Sequence, residues 1–398
     1  MHLSPKLVSV CMGILIIPCA IIQRIMNIQE FFYVRWCDSV LIGVLFLLIG
    51  LSLFASRGIK LNININLCIA IIVFLFSLSA LHSSFANQEY GMLHVGVINI
   101  LILVDTFFVA AYIARFGDRP IFAKTVFLSL IFLCLINDVL SLVFPEKFYG
   151  NGQFILYSKF AIAYLHMFVF ALSIEVCKKN KFFCLLIWFL SVCMCIYMGS
   201  GTGATCFVVM MVVLVLPHGV KAQLCRPVVA ICCMLICSVF PFCYSMILNL
   251  PFVQNLIVNV LHKSLDLTSR TMIYKSLGKL LEQNPLFGFG QENNYNVCQK
   301  YLKLNEYEYA PDVQNGLLDW VVSYGIVGAV LLLLLLILCL QRGRFVWNSS
   351  FIALIYAYFF AGSIEIPFDS LFFFVIAFYA FSTNLMCDKV DIKYVLGK

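Results

Sequence analysis

A chain of 398 residues that is 63% apolar and 11% charged, with a mean hydropathy of +1.00, cannot be a soluble globular protein, because such proteins carry charge on about a quarter of their residues. At about 20 residues per lipid-crossing helix, a dozen helices and one sizeable loop use up the length, which excludes a separate cofactor domain of the Rossmann type. The net charge of +7 is small for this length and no nucleic-acid partner is expected; what matters is where the cations fall.

The expected fold class is an all-α polytopic membrane protein. Residues 1–398 are read as a single integral membrane domain with about 12 transmembrane helices. Within it, residues 249–316 are read as one large extracytoplasmic loop containing short amphipathic helices. Lys6 and the apolar run ending at IIPCA imitate a signal peptide, but no small-residue cleavage site follows, so a retained first helix is expected. Apolar blocks fall at about 7–22, 39–55, 66–81, 96–114, 121–144, 160–177, 182–198, 203–216, 228–248, 317–340, 347–364 and 368–385.

The connections set the orientation. Lys6, Arg57 and Lys60, Arg115, Arg119 and Lys124, Lys178, Lys179 and Lys181, Lys221 and Arg226, Arg342 and Arg344, and Lys389, Lys393 and Lys398 all fall on one face. Alternate loops such as HSSFANQEYGMLHV carry no Lys or Arg. The positive-inside rule then puts both termini in the cytoplasm and the long loop outside. The eighteen cysteines sit mostly inside apolar blocks, as Cys193, Cys195, Cys232, Cys233 and Cys237 do. They are read as packed or lipid-facing thiols rather than as disulfides or a metal site.

Inside those blocks, Asp105 sits mid-span and Asp138 in the outer half of its block. Either lines a cavity or pairs with a cation on a neighbouring helix. The GSGTG run at Gly199 to Gly203 predicts a tight turn with GxxxG spacing for close helix approach. Lys159 stands at the outer mouth of its span, where it either anchors the helix or meets substrate.

The long loop holds the densest polar chemistry. From Ser269 to Gln283 the spacing predicts an amphipathic helix, with Ile273, Tyr274, Leu277, Leu280 and Leu281 on one face and Lys275, Lys279 and Glu282 on the other. Pro285, Gly288 and Gly290 end it, and it is expected to lie on the membrane surface. Arg270 falls on the apolar face in the first turn. It is expected either to grip a lipid phosphate with two hydrogen bonds or to pair with Asp266. Asp312, Asn315 and Asp319 are spaced by three and four, which places them on one helix face. Asp319 then lies a turn into an apolar stretch, where a carboxylate is costly enough to mark function or a specific partner. Tyr295, Tyr301, Tyr307 and Tyr309 cluster in the loop, where rings either stack on sugars or pack the surface.

The order SR, PLxGxG, a polar stretch, then QN followed by LD and GxxG resembles the O-antigen polymerase (Wzy-type) and O-antigen ligase superfamily. The residues carrying it are Ser269, Arg270, Pro285, Leu286, Gly288, Gly290, Asn315, Leu318, Asp319, Gly325 and Gly328. The likeness extends to GNGQFILYSKFA at Gly150 to Ala161 and to MGSGTGAT at Met198 to Thr205. Where many members have His-Asn, this chain has Gln314-Asn315, which favours the polymerase over the ligase; His262, earlier in the loop, is the residue that could substitute.

The resemblance implies transfer of an undecaprenyl-pyrophosphate-linked oligosaccharide onto another at the outer face of a bacterial plasma (inner) membrane. No cofactor is implied. The partners are a lipid-linked oligosaccharide donor and acceptor, the membrane itself, a chain-length regulator and a flippase. Arg270 is then the donor clamp, and Asp319, with Glu292 second, the base. Lys159, Asn315, Gln314, Lys275, Gly288 and Gly290 are the substrate-binding candidates. The alternatives are a ligase moving glycan to a lipid A core and, of another class, a flippase. The flippase is disfavoured because transporters place broken helices and charge near the midplane, in related halves.

Overall fold

The computed structural model describes residues 4–25, 65–87, 93–146, 158–239, 242, 250–255, 268–290, 294–302, 309–310, 312–343 and 350–382. Among these the chain is helical, with no strand. In order, the helices are α1 (Pro5–Ile25), α2 (Ile65–Ala86), α3 (Leu93–Phe116), α4 (Arg119–Val143), α5 (Lys159–Val176), α6 (Lys181–Tyr197) and α7 (Gly201–Val215). Then come α8 (His218–Leu224), α9 (Pro227–Val239), α10 (Pro251–Asn255), α11 (Thr268–Gln283), α12 (Asn294–Tyr301), α13 (Gly316–Gly343), α14 (Ser350–Ala361) and α15 (Ser370–Ser382).

Eleven of the twelve predicted apolar blocks coincide with α1 to α7, α9 and α13 to α15; the block at 39–55 lies outside the described residues. By length and composition, five of these helices, α2 to α5 and α13, are able to cross a membrane. The bent pair α8 and α9, angled at 75°, makes a sixth if counted as one span, and α1, α6, α7, α14 and α15 are apolar but shorter.

Short polar residues start the helices where an apolar run begins. Asp118 accepts from the Ile121 amide, Ser158 from Ala161, Asn180 from Phe183 and Ser200 from Gly203, each relieving one orphan donor of a first turn. Asp369 likewise caps α15, accepting from the amides of Leu371 and Phe372.

Within the bundle α5 and α14 are buried nearly throughout. Aromatic rings fill the space between α5, α14 and α15: Phe168 meets Phe374 edge-on at 5.5 Å, and Phe351 stacks on Phe378 at 5.3 Å. The predicted close approach at GSGTG is present: a Cβ on Gly203 would lie 2.5 Å from that of Ala163 on α5. On the other side of the bundle α13 packs along α2 and against α9 and α15. Its Tyr324 ring meets Phe76 of α2 edge-on at 4.8 Å.

Candidate functional site

The helix expected between 269 and 283 forms as α11, and its two faces divide as the spacing predicts. Ile273, Leu277 and Leu280 are buried while Lys279, Glu282 and Gln283 are exposed. The partner of the apolar face differs from the prediction. Instead of resting on a membrane surface, it packs on Phe289, Val297, Cys298, Leu302, Ala310, Val313 and Val322. The physical reason is that α12 and the turn before α13 bring enough apolar surface to close a small core of their own. Val322 of α13 belongs to that core, so the cap is seated directly on the bundle.

What fixes the seat is a break in α13. Gly325 takes φ 66 and ψ −174 inside an otherwise helical run, a backbone region open in practice to glycine alone. An unbroken helix would bond the Ile326 amide to the Val322 carbonyl and the Val327 amide to Ser323. The break leaves all four groups without a helical partner within a long apolar helix, at several kcal/mol each if left bare. The segment Pro285 to Gly290 satisfies every one of them. Phe289 and Gly290 donate to the carbonyls of Val322 and Ser323 at 2.9 and 2.8 Å, and Ile326 and Val327 donate to Pro285 and Leu286 at 2.9 and 3.1 Å.

The two backbones approach so closely that side chains are excluded. A Cβ on Gly325 would lie 2.2 Å from the Leu286 carbonyl oxygen, and one on Gly288, itself at φ 66, would lie 2.4 Å from the Gly325 nitrogen. The Gly288 carbonyl in turn accepts from Asn284, Asn87 and Ser83, the last two on or just beyond the end of α2. His82 lays its ring edge-on to Phe287 at 4.8 Å. The HSSFAN stretch, read from sequence as loop, is therefore the last turn of α2 and one jaw of this joint. Its signal was present in the i,i+4 pair Ser83 and Asn87, but nothing local says what such a pair will hold.

The other end of the cap meets the start of α13. Tyr274, one turn after Arg270, donates its hydroxyl to the Gln314 carbonyl at 3.2 Å, and its ring lies 4.6 Å from that of Phe242. Gln314 has a left-handed backbone, φ 50, and its amide donates to Asp312 Oδ1 at 2.9 Å. Asn315 is 0% exposed. Its Oδ1 accepts from the Leu318 amide and its Nδ2 donates to the Ser238 carbonyl at the end of α9.

The expectation that Asp312, Asn315 and Asp319 share a helix face therefore fails for the first two: the helix begins at Gly316, after its Asn315 cap. Asp319 does stand in the first turn of α13, half-buried. Asp319 and Asp312 nonetheless both act on one thiol. The Cys298 thiol of α12 is pushed well above its usual range, first by burial and then by the charges of those two carboxylates.

The predicted site residues thus fall into groups. Arg270 occupies the first turn of α11, one turn before Tyr274, whose hydroxyl reaches the Gln314 carbonyl; the side chains of Arg270 and Lys275, and Glu292 and His262 as a whole, lie outside the described residues. Gly288 and Gly290 lie in the joint, where the Gly290 amide donates to Ser323 and the Gly288 carbonyl accepts from Ser83. Lys159 opens α5 with its Nζ 5.4 Å from the Phe160 ring, on a helix whose neighbours are α4, α6, α7, α14 and α15. Asp138, expected to line a cavity or find a cation, meets His166, which sequence reasoning passed over; a single histidine in an apolar run gives no local signal.

A helical membrane protein with a small folded cap clasped onto an interrupted helix is the class that this architecture defines. Residues 185–333, which contain the cap, its joint and the start of α13, match the family described as O-antigen ligase. Over that stretch the chain is similar to the O-antigen ligase family. Members of that family are membrane glycosyltransferase-like enzymes that act on lipid-linked glycans. No curated protein and no solved structure matches the chain.

Proposed function

We propose that this chain is the polymerase of a bacterial surface polysaccharide, joining undecaprenyl-pyrophosphate-linked repeat units at the outer face of the inner membrane. The observation that supports this reading is the Tyr274 contact with the Gln314 carbonyl, which ties α11, whose first turn carries Arg270, to the turn before α13, whose first turn carries Asp319. A cation and a carboxylate in one place are what the reaction needs. The acceptor hydroxyl oxygen attacks the anomeric carbon, the bond from that carbon to the donor phosphate oxygen breaks, and the polyprenyl pyrophosphate leaves with the electron pair. Arg270 meets the charge that grows on the leaving group, where a preorganised cation is worth most. Asp319 takes the proton from the attacking hydroxyl, with Glu292 as the second candidate. Lys159 and Lys275 are auxiliary cations for the lipid phosphates, and Asn315, Gln314, Gly288 and Gly290 act by holding the site's backbone.

The ligase reading is favoured by the description of the matching family. Against it stands Gln314, a carboxamide without a titratable proton, where the resemblance expects histidine. Deletion of the gene followed by gel analysis of surface glycan separates the readings. Single capped repeat units support the polymerase, long lipid-linked chains unattached to lipid A support the ligase, and repeats retained on the cytoplasmic side support a flippase. Complementation with Arg270→Ala at normal expression should reproduce the deletion; long chains in that strain would refute the clamp.

A further inference from the structure

Three helices away from the cap meet at a second polar cluster that the proposed reaction does not use. His166 of α5 is buried between two partners. Its Nε2 lies 3.1 Å from Asp138 Oδ1 on α4, and its Nδ1 lies 3.2 Å from Ser191 Oγ on α6. Asn137 donates to the same Asp138 oxygen at 3.2 Å. Asp138 is five residues from the end of α4, His166 seven from the start of α5 and Ser191 six from the end of α6. At 1.5 Å per residue all three lie roughly 10 Å deep, in the half of the membrane that the cation pattern assigns to the outer face. Asp138 keeps 15% of its side chain exposed while His166 keeps 5%.

This is not a nucleophilic site. Ser191 is buried within a continuous helix, whose backbone amides are already bonded, so no oxyanion donors stand near it. Nor do the described residues gather a metal-ligating set of His, Cys, Asp and Glu here.

What the chain of groups can do is accept a proton without losing a hydrogen bond. In the neutral form the imidazole donates from Nε2 to the carboxylate and accepts the Ser191 hydroxyl at Nδ1. In the cationic form both nitrogens donate, and the hydroxyl proton turns to the carbonyl a turn back in its own helix. The cluster then passes from a lone buried carboxylate to an ion pair of zero net charge.

The groups packed around it do not compete. α4 contributes Cys134, one turn below Asp138, and α6 contributes Cys195, one turn above Ser191; α7 adds Cys206 beside Cys195. α14 offers Tyr358 against Tyr164, and α15 offers phenyl rings against Phe168. Among the described residues no lysine or arginine pairs with Asp138 or His166.

We propose that Asp138, His166 and Ser191 form a proton-binding site whose occupancy ties the packing of α4, α5 and α6 to pH. The site stands apart from the glycosyl-transfer centre and does not depend on that assignment.

The test is nitrogen-15 NMR of the full chain, labelled at its six histidines and held in lipid nanodiscs, across pH 4.5 to 9. One imidazole, identified by its loss in His166→Gln, should change between neutral and doubly protonated nitrogen shifts. Asp138→Asn, which keeps the hydrogen bond but not the charge, should move that midpoint by about one pH unit or more. If His166→Gln does not fold, Ser191→Ala identifies the same signal by altering its Nδ1 shift alone. A His166 signal that stays in one protonation state over the whole range, or a midpoint indifferent to Asp138→Asn, overturns the proposal.

Discussion

At the scale of single residues, the decisive feature is that two glycines share a backbone angle and differ in everything else. Gly199 and Gly325 both have φ 66; nothing lies within 4 Å of a Cβ on the first, whereas one on the second strikes the Leu286 carbonyl at 2.2 Å. Gly199→Ala is therefore expected to cost only the left-handed strain, about 1 kcal/mol. Gly325→Ala adds an overlap that only separation of the loop from α13 relieves, about 3 kcal/mol or more. Thermal unfolding of the detergent-solubilised protein measures both, and equal losses would show that the joint is looser than drawn. Ser83→Ala should be mild, about 1 kcal/mol, because Asn87 and Asn284 still donate to the Gly288 carbonyl.

At the scale of elements, the cap has a small core, shared with the bundle through Val322, that a single substitution in α11 can weaken. Leu280 is fully buried in it and Lys279, its neighbour on α11, is exposed. Leu280→Ala should cost about 2 to 5 kcal/mol by transfer and cavity terms, and Lys279→Ala less than about 0.5 kcal/mol. Cys298 supplies a local reporter, since it is buried and its thiol is held protonated by burial and two nearby carboxylates. Its labelling by a water-soluble maleimide, read by mass spectrometry of the peptide, should be slow even at pH 8 and faster in Leu280→Ala. Unchanged labelling in that variant would mean that the cap does not open as a unit. The faces of α11 were legible in sequence because a period of 3.6 residues is local. The mate of its apolar face was not, because Val297, Val313 and Val322 come from three later segments. The same holds for PLFGFG: its glycines stood out as a motif, but their partner, the break at Gly325, lies 35 residues on. The pairing is a matter of topology rather than of pattern. Asp312 was misplaced for a different reason, since Asn315 caps the helix after it, a competition between turn and helix that spacing alone does not resolve.

At the scale of the whole molecule, a rigid seat and an adjustable chemistry are separable, which gives the glycosyl-transfer proposal its sharpest test. The four backbone bonds of the joint hold one end of the cap to α13, and the Tyr274 and Asn315 contacts hold the other to Gln314 and α9. Changes at Gly325 should therefore lower stability and activity together. Asp319→Asn keeps nearly the same shape and lies at a half-buried position in the first turn of α13, so it should leave the unfolding temperature within a few degrees. If its carboxylate receives the acceptor proton, the rate of repeat-unit joining should fall by about 10² to 10⁴, the usual share of a positioned base. Surface glycan from the complemented deletion strain would then run as short species at normal protein levels. Arg270→Lys completes the comparison. It retains charge but not the two-pronged grip on a pyrophosphate, so chain growth should be slowed rather than abolished, while Arg270→Ala stops it. An Asp319→Asn strain with chains of wild-type length would pass the role of base to Glu292. Equal activity in Arg270→Ala and Arg270→Lys would show that positive charge at this turn is not what stabilises the departing pyrophosphate.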